Sequence, residues 1–161
     1  MIQLSRRELL AGAAALGIAS LPIRASAQSA AAAPKDLKIT RRVIDVGGRA
    51  ASVFGLLGPD EKPGLSFRSG EPFAVRLVNE GGAPTIIHWH GLTPPWLQDG
   101  VPDLALPLIA DGAERSFDFP LTFGGTHWMH AHTLQEQSLL AAPLIIRGPA
   151  AAARDEQEIV I

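Results

Sequence analysis

The sequence predicts an all-β domain, an antiparallel sandwich or barrel. Three observations predict it. Thirteen prolines and sixteen glycines in 161 residues punctuate the chain at short intervals, which suits turns and strands better than helices. Between them, apolar residues recur with period two, the signature of a strand with one buried face. No helical pattern of any length appears after residue 27. About seven or eight short strands separated by turn signals fit a two-sheet architecture.

The length allows one domain, and a hydrophobic share of 47% supports a real core. A formal net charge of -2 gives no nucleic-acid signal. There is no cysteine, which removes disulfides, zinc knuckles and thiolate-ligated metals together.

Residues 1–27 read as a cleavable export signal. Ser5-Arg6-Arg7-Glu8-Leu9-Leu10 resembles the twin-arginine pattern, the apolar run Ala11 to Leu21 follows, and Ala25-Ser26-Ala27 is a small-residue cleavage site. The run is too short to anchor the chain by spanning a bilayer. The reading implies a periplasmic protein exported already folded. Cleavage removes Arg6, Arg7, Arg24 and Glu8, three positive charges and one negative, and takes the formal charge from -2 to -4.

Residues 28–36 read as an alanine-rich, flexible tether, and 37–149 as the folded domain. Leu37 to Val46 and Ala50 to Leu57 form a hairpin about the turn signal Val46-Gly47-Gly48-Arg49. Gly58 to Gly64 is a polar loop. After the turn Ser69-Gly70-Glu71-Pro72, Phe73, Val75 and Leu77 alternate with Ala74, Arg76 and Val78 in a strand. Thr85 to His90 is the next strand. Gly91 to Gly112 is long, proline-rich and irregular, and a loop of that length inside a domain is usually functional. Arg115 to Leu121 alternates again, with Phe117 and Phe119 on one face. Gly124-Gly125 turns into a strand ending near His132, and Leu139 to Arg147 is a buried strand stopped by Gly148-Pro149. Residues 150–161 read as a linker and the start of a further domain, since Ile159-Val160-Ile161 begins a strand.

All five histidines lie in two stretches, Ile86-Ile87-His88-Trp89-His90-Gly91 and Thr126-His127-Trp128-Met129-His130-Ala131-His132. Residues i and i+2 of a strand share a face, so His88 and His90 project together, as do His130 and His132. If the strands are neighbours, four imidazoles converge, and imidazole suits copper, zinc, iron and nickel. Alternation points His127 away from the others. Met129 falls on its face and reads as core packing, and Trp89, Trp96 and Trp128 read as packing around the site.

The order His88-Trp89-His90-Gly91-Leu92, Asp99-Gly100-Val101-Pro102, Gly125 to His132, then Pro143-Leu144-Ile145-Ile146 resembles the N-terminal, plastocyanin-like cupredoxin domain of multicopper oxidases, most of all the bacterial laccase-like and copper-resistance type. The resemblance covers Lys38 to Ile161. It implies a Greek-key cupredoxin fold, copper as cofactor, dioxygen as co-substrate reduced to water, and half of the histidine ligands of a trinuclear copper cluster. By motif position, His88 resembles a type 2 copper ligand, His90 and His130 ligands of one type 3 copper, and His132 a ligand of the other. Asp99 resembles an acid that relays protons or orients a ligand histidine, although a turn aspartate before Gly100 would also explain the dipeptide. Glu136, in Gln135-Glu136-Gln137, matches a family feature with no role legible in the sequence. The chain departs from the pattern at Ala131, where serine is usual, at Asp103, where glycine is usual, and after His132, where a glycine is lacking.

The family's C-terminal cupredoxin domain carries His-x-x-His-x-His and His-Cys-His motifs, and neither occurs here. The chain is thus expected to be part of an oxidoreductase, without a type 1 copper site and without turnover of its own. The alternative is a stand-alone periplasmic domain that binds or sequesters copper, with a homo-oligomer as one way to bring two histidine quartets together. A zinc hydrolase with Asp99 as base and a metal-free structural domain are weaker readings, the latter because four convergent unpaired imidazoles are costly to keep.

Overall fold

The structure, a computed structural model, describes residues 33–102 and 106–149. The expected export signal, most of the tether, Asp103 and the segment from 150 onward lie outside the described residues. Among the described residues eight strands follow one another: β1 (Lys35–Val46), β2 (Arg49–Leu57), β3 (Leu65–Arg68), β4 (Pro72–Asn79), β5 (Ile87–His90), β6 (Glu114–Pro120), β7 (Gly125–Ala131) and β8 (Ala141–Arg147). The helical turns among the described elements are short 3-10 pieces at Trp96–Gln98 and Leu134–Ser138.

The strands form two four-stranded sheets, ordered β2-β1-β4-β6 and β3-β8-β7-β5. Each face that meets the other sheet is apolar. β4 buries Phe73, Val75 and Leu77, β6 buries Phe117 and Phe119, and the second sheet answers with Trp89, Met129, Leu144 and Ile146. Phe73 joins the layers, with ring centroids 4.8 Å from Trp89, 5.2 Å from Phe67 and 4.5 Å from Phe119. The result is an all-β sandwich of cupredoxin-like form.

Pairing differs from the purely antiparallel expectation. β1 runs parallel to β4, and β3 parallel to β8. Alternation of apolar residues reports burial of a face and not strand direction, so the sequence carried no signal for either pair. β3 was passed over as well, because four residues between two turns give too little alternation to read. β1 begins at Lys35, two residues before the expected boundary, where Asp36 meets Arg76 in register. Their side chains form a two-point ion pair at 2.6 and 2.8 Å, and Glu114 of β6 joins at 3.3 Å. Arg76 holds the Asp36 carboxylate below the usual range, chiefly by this hydrogen bonding.

Buried Asn79 positions the chain for the histidine-bearing strands. Its amide donates to the carbonyls of Ala83 and Ile109, and its oxygen accepts from the N–H of Gly81. That ties the turn before β5 to the far end of the long loop. Thr85 then bridges Ile109 instead of opening the strand, so β5 is shorter than expected.

Candidate metal centre

The site is built by the pairing of β5 with β7. The register sets His88 directly opposite His130 and Trp89 opposite Met129. Directly opposed residues project to the same face, so one face receives the histidines and the other the core. Beyond the ladder, the N–H of His132 donates to the carbonyl of Ile86 at 3.2 Å, and the hydroxyls of Thr85 and Thr133 lie 2.8 Å apart. These contacts carry the pairing one residue past the end of β7 and hold His132 beside the others.

Four imidazoles converge as the spacing predicts. Ring centroids lie 5.6 Å apart for His88 and His90, 5.4 Å for His88 and His130, 5.2 Å for His88 and His132, and 5.4 Å for His130 and His132. His88, His90 and His130 each offer a nitrogen within 4.8 Å of the others', close enough to share one ion. His132 borders this trio. His90 and His132 are exposed, His88 is half-buried and His130 is buried, so the site opens at the surface.

The best-defined contact is between His90 Nδ1 and His130 Nε2, 3.3 Å apart. Two imidazole nitrogens that share a metal at bond lengths of about 2.0–2.1 Å and a near-tetrahedral angle take a similar separation. The outer nitrogens are occupied. His88 Nδ1 lies 2.9 Å from the Asp99 carbonyl and 3.2 Å from its carboxylate. His130 Nδ1 lies 3.1 Å from the Glu136 carboxylate and 3.1 Å from the Ala131 carbonyl. Metal-binding histidines characteristically give their second ring N–H to a carboxylate or carbonyl. Burial lowers the pKa of His130, more than the nearby Ala131 carbonyl and Glu136 raise it, which favours the neutral, metal-binding form. The donor set therefore fits a copper ion.

Asp99 reaches His88 because the long loop is anchored. The Trp89 indole N–H donates to the carbonyl of Gln98 at 2.9 Å. The Gln98 side chain in turn exchanges two hydrogen bonds with the backbone of Asp118 in β6. Gly100 has φ +74°, and a Cβ there would stand 1.8 Å from the carbonyl oxygen of Ile87. The glycine is explained by this close approach to β5, and Asp99 keeps a separate contact with His88.

His127 lies outside the trio. It fills the space left by Gly91 and Gly125, with Nδ1 only 2.6 Å from where a Gly91 Cβ would be, and burial lowers its pKa. Trp89 and Met129 are core residues. Trp128 stacks on His130 at 4.1 Å and 17°. Trp96 is 66% exposed, more open than the packing role expected of it. Glu136 is the contact that sequence reasoning missed. It arrives from a 3-10 turn that closes on Leu139 in a left-handed conformation, φ +62°, and no spacing rule reports such a fold-back. This also answers the missing glycine: Leu139 adopts the conformation a glycine would take easily.

The sequence pattern of the multicopper oxidases matches residues 39–151. The chain belongs to the multicopper oxidase family. It is 34% identical over 112 residues to copper resistance protein A of Pseudomonas syringae pv. tomato, a match covering 69% of this chain and 18% of that protein. Copper resistance protein A of Escherichia coli is 29% identical over 178 residues, covering all of this chain and 29% of the relative. Among solved structures, a multicopper oxidase from Pseudomonas thermotolerans superposes with a TM-score of 0.63 at 27% identity, over 70% of this chain and 29% of that one. This multicopper oxidase chain thus spans less than a third of the length of these relatives.

Proposed function

We propose that this chain is the copper-binding N-terminal domain of a multicopper oxidase and supplies half of the ligands of a trinuclear copper cluster. The observation that carries the reading is the convergence of His88, His90 and His130 with their outer nitrogens held at His88 and His130. In this reading His88 serves the type 2 copper, His90 and His130 one type 3 copper, and His132 the other. Copper bound there supplies the redox chemistry by which dioxygen is reduced to water. Asp99 orients His88 and, one-third exposed, passes protons between solvent and the site. The chain has no cysteine, so the thiolate of an electron-entry copper and the remaining histidines come from a C-terminal cupredoxin domain. Residues 1–27 direct export to the periplasm in this reading, and cell fractionation tests it.

A second reading is favoured by the same trio. Three nitrogens from a single chain suffice for one ion, so the domain alone can bind or sequester copper without turnover, as a monomer or as an oligomer that pools its histidines. The zinc hydrolase reading is weakened, because the Asp99 carboxylate is engaged at His88 Nδ1.

The test is copper content per chain, with absolute mass, for the full chain and for His90→Ala/His132→Ala. Both histidines are exposed, so truncating them leaves the core intact. Stoichiometric copper in the wild type and its loss in the double variant are expected. Equal copper in both would overturn the site, and the mass tells a single-chain site from a shared one.

A further inference from the structure

We propose that Glu136 is a positioning residue that fixes the tautomer of His130, placing the proton on Nδ1 and leaving the Nε2 lone pair aimed at the metal position. The inference rests on the reading of His130 as a copper ligand and adds a residue to it. A neutral imidazole carries one proton, and the hydrogen bond at one nitrogen decides which nitrogen holds it. At His130 Nδ1 both neighbours are acceptors, the Glu136 carboxylate and the Ala131 carbonyl, each at 3.1 Å. An ionised carboxylate can only accept, so it admits the Nδ1–H form and no other. Nε2 is then the acceptor in its 3.3 Å contact with His90 Nδ1, the lone pair that a metal would take.

The local backbone is built to hold this carboxylate. The N–H of Glu136 donates to the carbonyl of Thr133 at 3.1 Å, and its own carbonyl accepts from Leu139 at 3.0 Å. The Gln135 amide donates to the carbonyl of Pro84, across in the segment before β5. Leu139 sits in the left-handed region to close the turn, a conformation costly for a residue with a Cβ. Trp128 stacked on the ring restrains its tilt, and Glu136 sets which nitrogen faces out. Asp99 stands in the same relation to His88, so the two directly opposed histidines share one device.

The test is long-range proton–nitrogen NMR of the His130 ring in the metal-free full chain, at a mildly alkaline pH where ordinary imidazoles are neutral. Glu136→Gln keeps the shape, but its amide can donate as readily as accept. Glu136→Ala removes the carboxylate and leaves the Ala131 carbonyl as the acceptor at Nδ1, and Glu136→Asp, which withdraws the carboxylate by one methylene, serves if either variant misfolds. The Nδ1–H form is expected in the wild type, with a population of Nε2–H appearing in Glu136→Gln and Glu136→Ala. Copper affinity should fall about 10- to 100-fold in both. A wild-type His130 protonated on Nε2, or variants with unchanged tautomer and affinity, overturns the proposal. If the tautomer responds as expected but the chain takes no copper, the proton placement stands and the copper reading falls.

Discussion

The two faces of β5 and β7 differ by one residue in sequence and by everything in environment. On the inner face Ile87, Trp89, Met129 and Ala131 are buried in the core. On the outer face His88, His90, Trp128 and His130 build a polar site, two of whose residues, His90 and Trp128, are exposed. The inner face fixes the strands and so lets the outer face hold imidazoles in a geometry that isolated strands would not keep. The difference teaches that a surface metal site borrows its rigidity from residues that never touch the metal.

The comparison is broken most severely from the inside. Trp89→Ala should cost about 3–5 kcal/mol and release the Gln98 anchor as well, with the copper site lost as a consequence. Denaturant unfolding checks this, and a variant within about 1 kcal/mol of the wild type would show that the core is not organised around Trp89. Gly100→Ala comes next, at about 2–5 kcal/mol, since it sets a Cβ against the Ile87 carbonyl and forces a positive φ on a residue that resists it. A wild-type melting temperature for that variant would contradict the close approach of loop and strand.

Acid sharpens the comparison. Burial depresses the folded pKa of His127 and His130, so near and below an ordinary imidazole value the unfolded chain binds more protons than the folded one. Stability from these two groups is present above the unfolded pKa and is lost as pH falls through their lower folded values. Unfolding of the metal-free chain across mildly acidic pH should follow this sign, and phenylalanine at 127 should flatten the slope. A flat profile in the wild type would speak against their burial.

Smaller effects follow. Leu139→Gly should raise stability by less than about 1 kcal/mol, relief of the left-handed strain being partly offset by the entropy of glycine. Any loss would mean that the half-exposed leucine contributes packing. Least of all, His90→Ala should change stability within about 0.5 kcal/mol, as for an exposed residue, yet weaken copper binding. If it unfolds the domain instead, the separation of the two faces fails.

Much of this was legible beforehand. The alternation of Phe73, Val75 and Leu77 disclosed a core face, and the His-x-His spacing disclosed a second face on strands that share a sheet. The parallel pairings, the four-residue β3 and the exposure of Trp96 were not legible, because periodicity reports which face is buried and not which strand lies beside it. Glu136 could be noticed as a motif but not understood, since its distance from His130 depends on a turn closed by one left-handed residue.

The sequence by itself determined that the described domain is all-β, that four histidines could share a face, and which family the chain resembles, because strand alternation and motif order are local properties of the chain. Tertiary structure alone decided that His88 lies opposite His130, that Asp99 and Glu136 reach their outer nitrogens, and that His127 packs between two glycines. Those facts depend on register and on loop closure between segments far apart in the chain, which the core selects by burying one face of each strand.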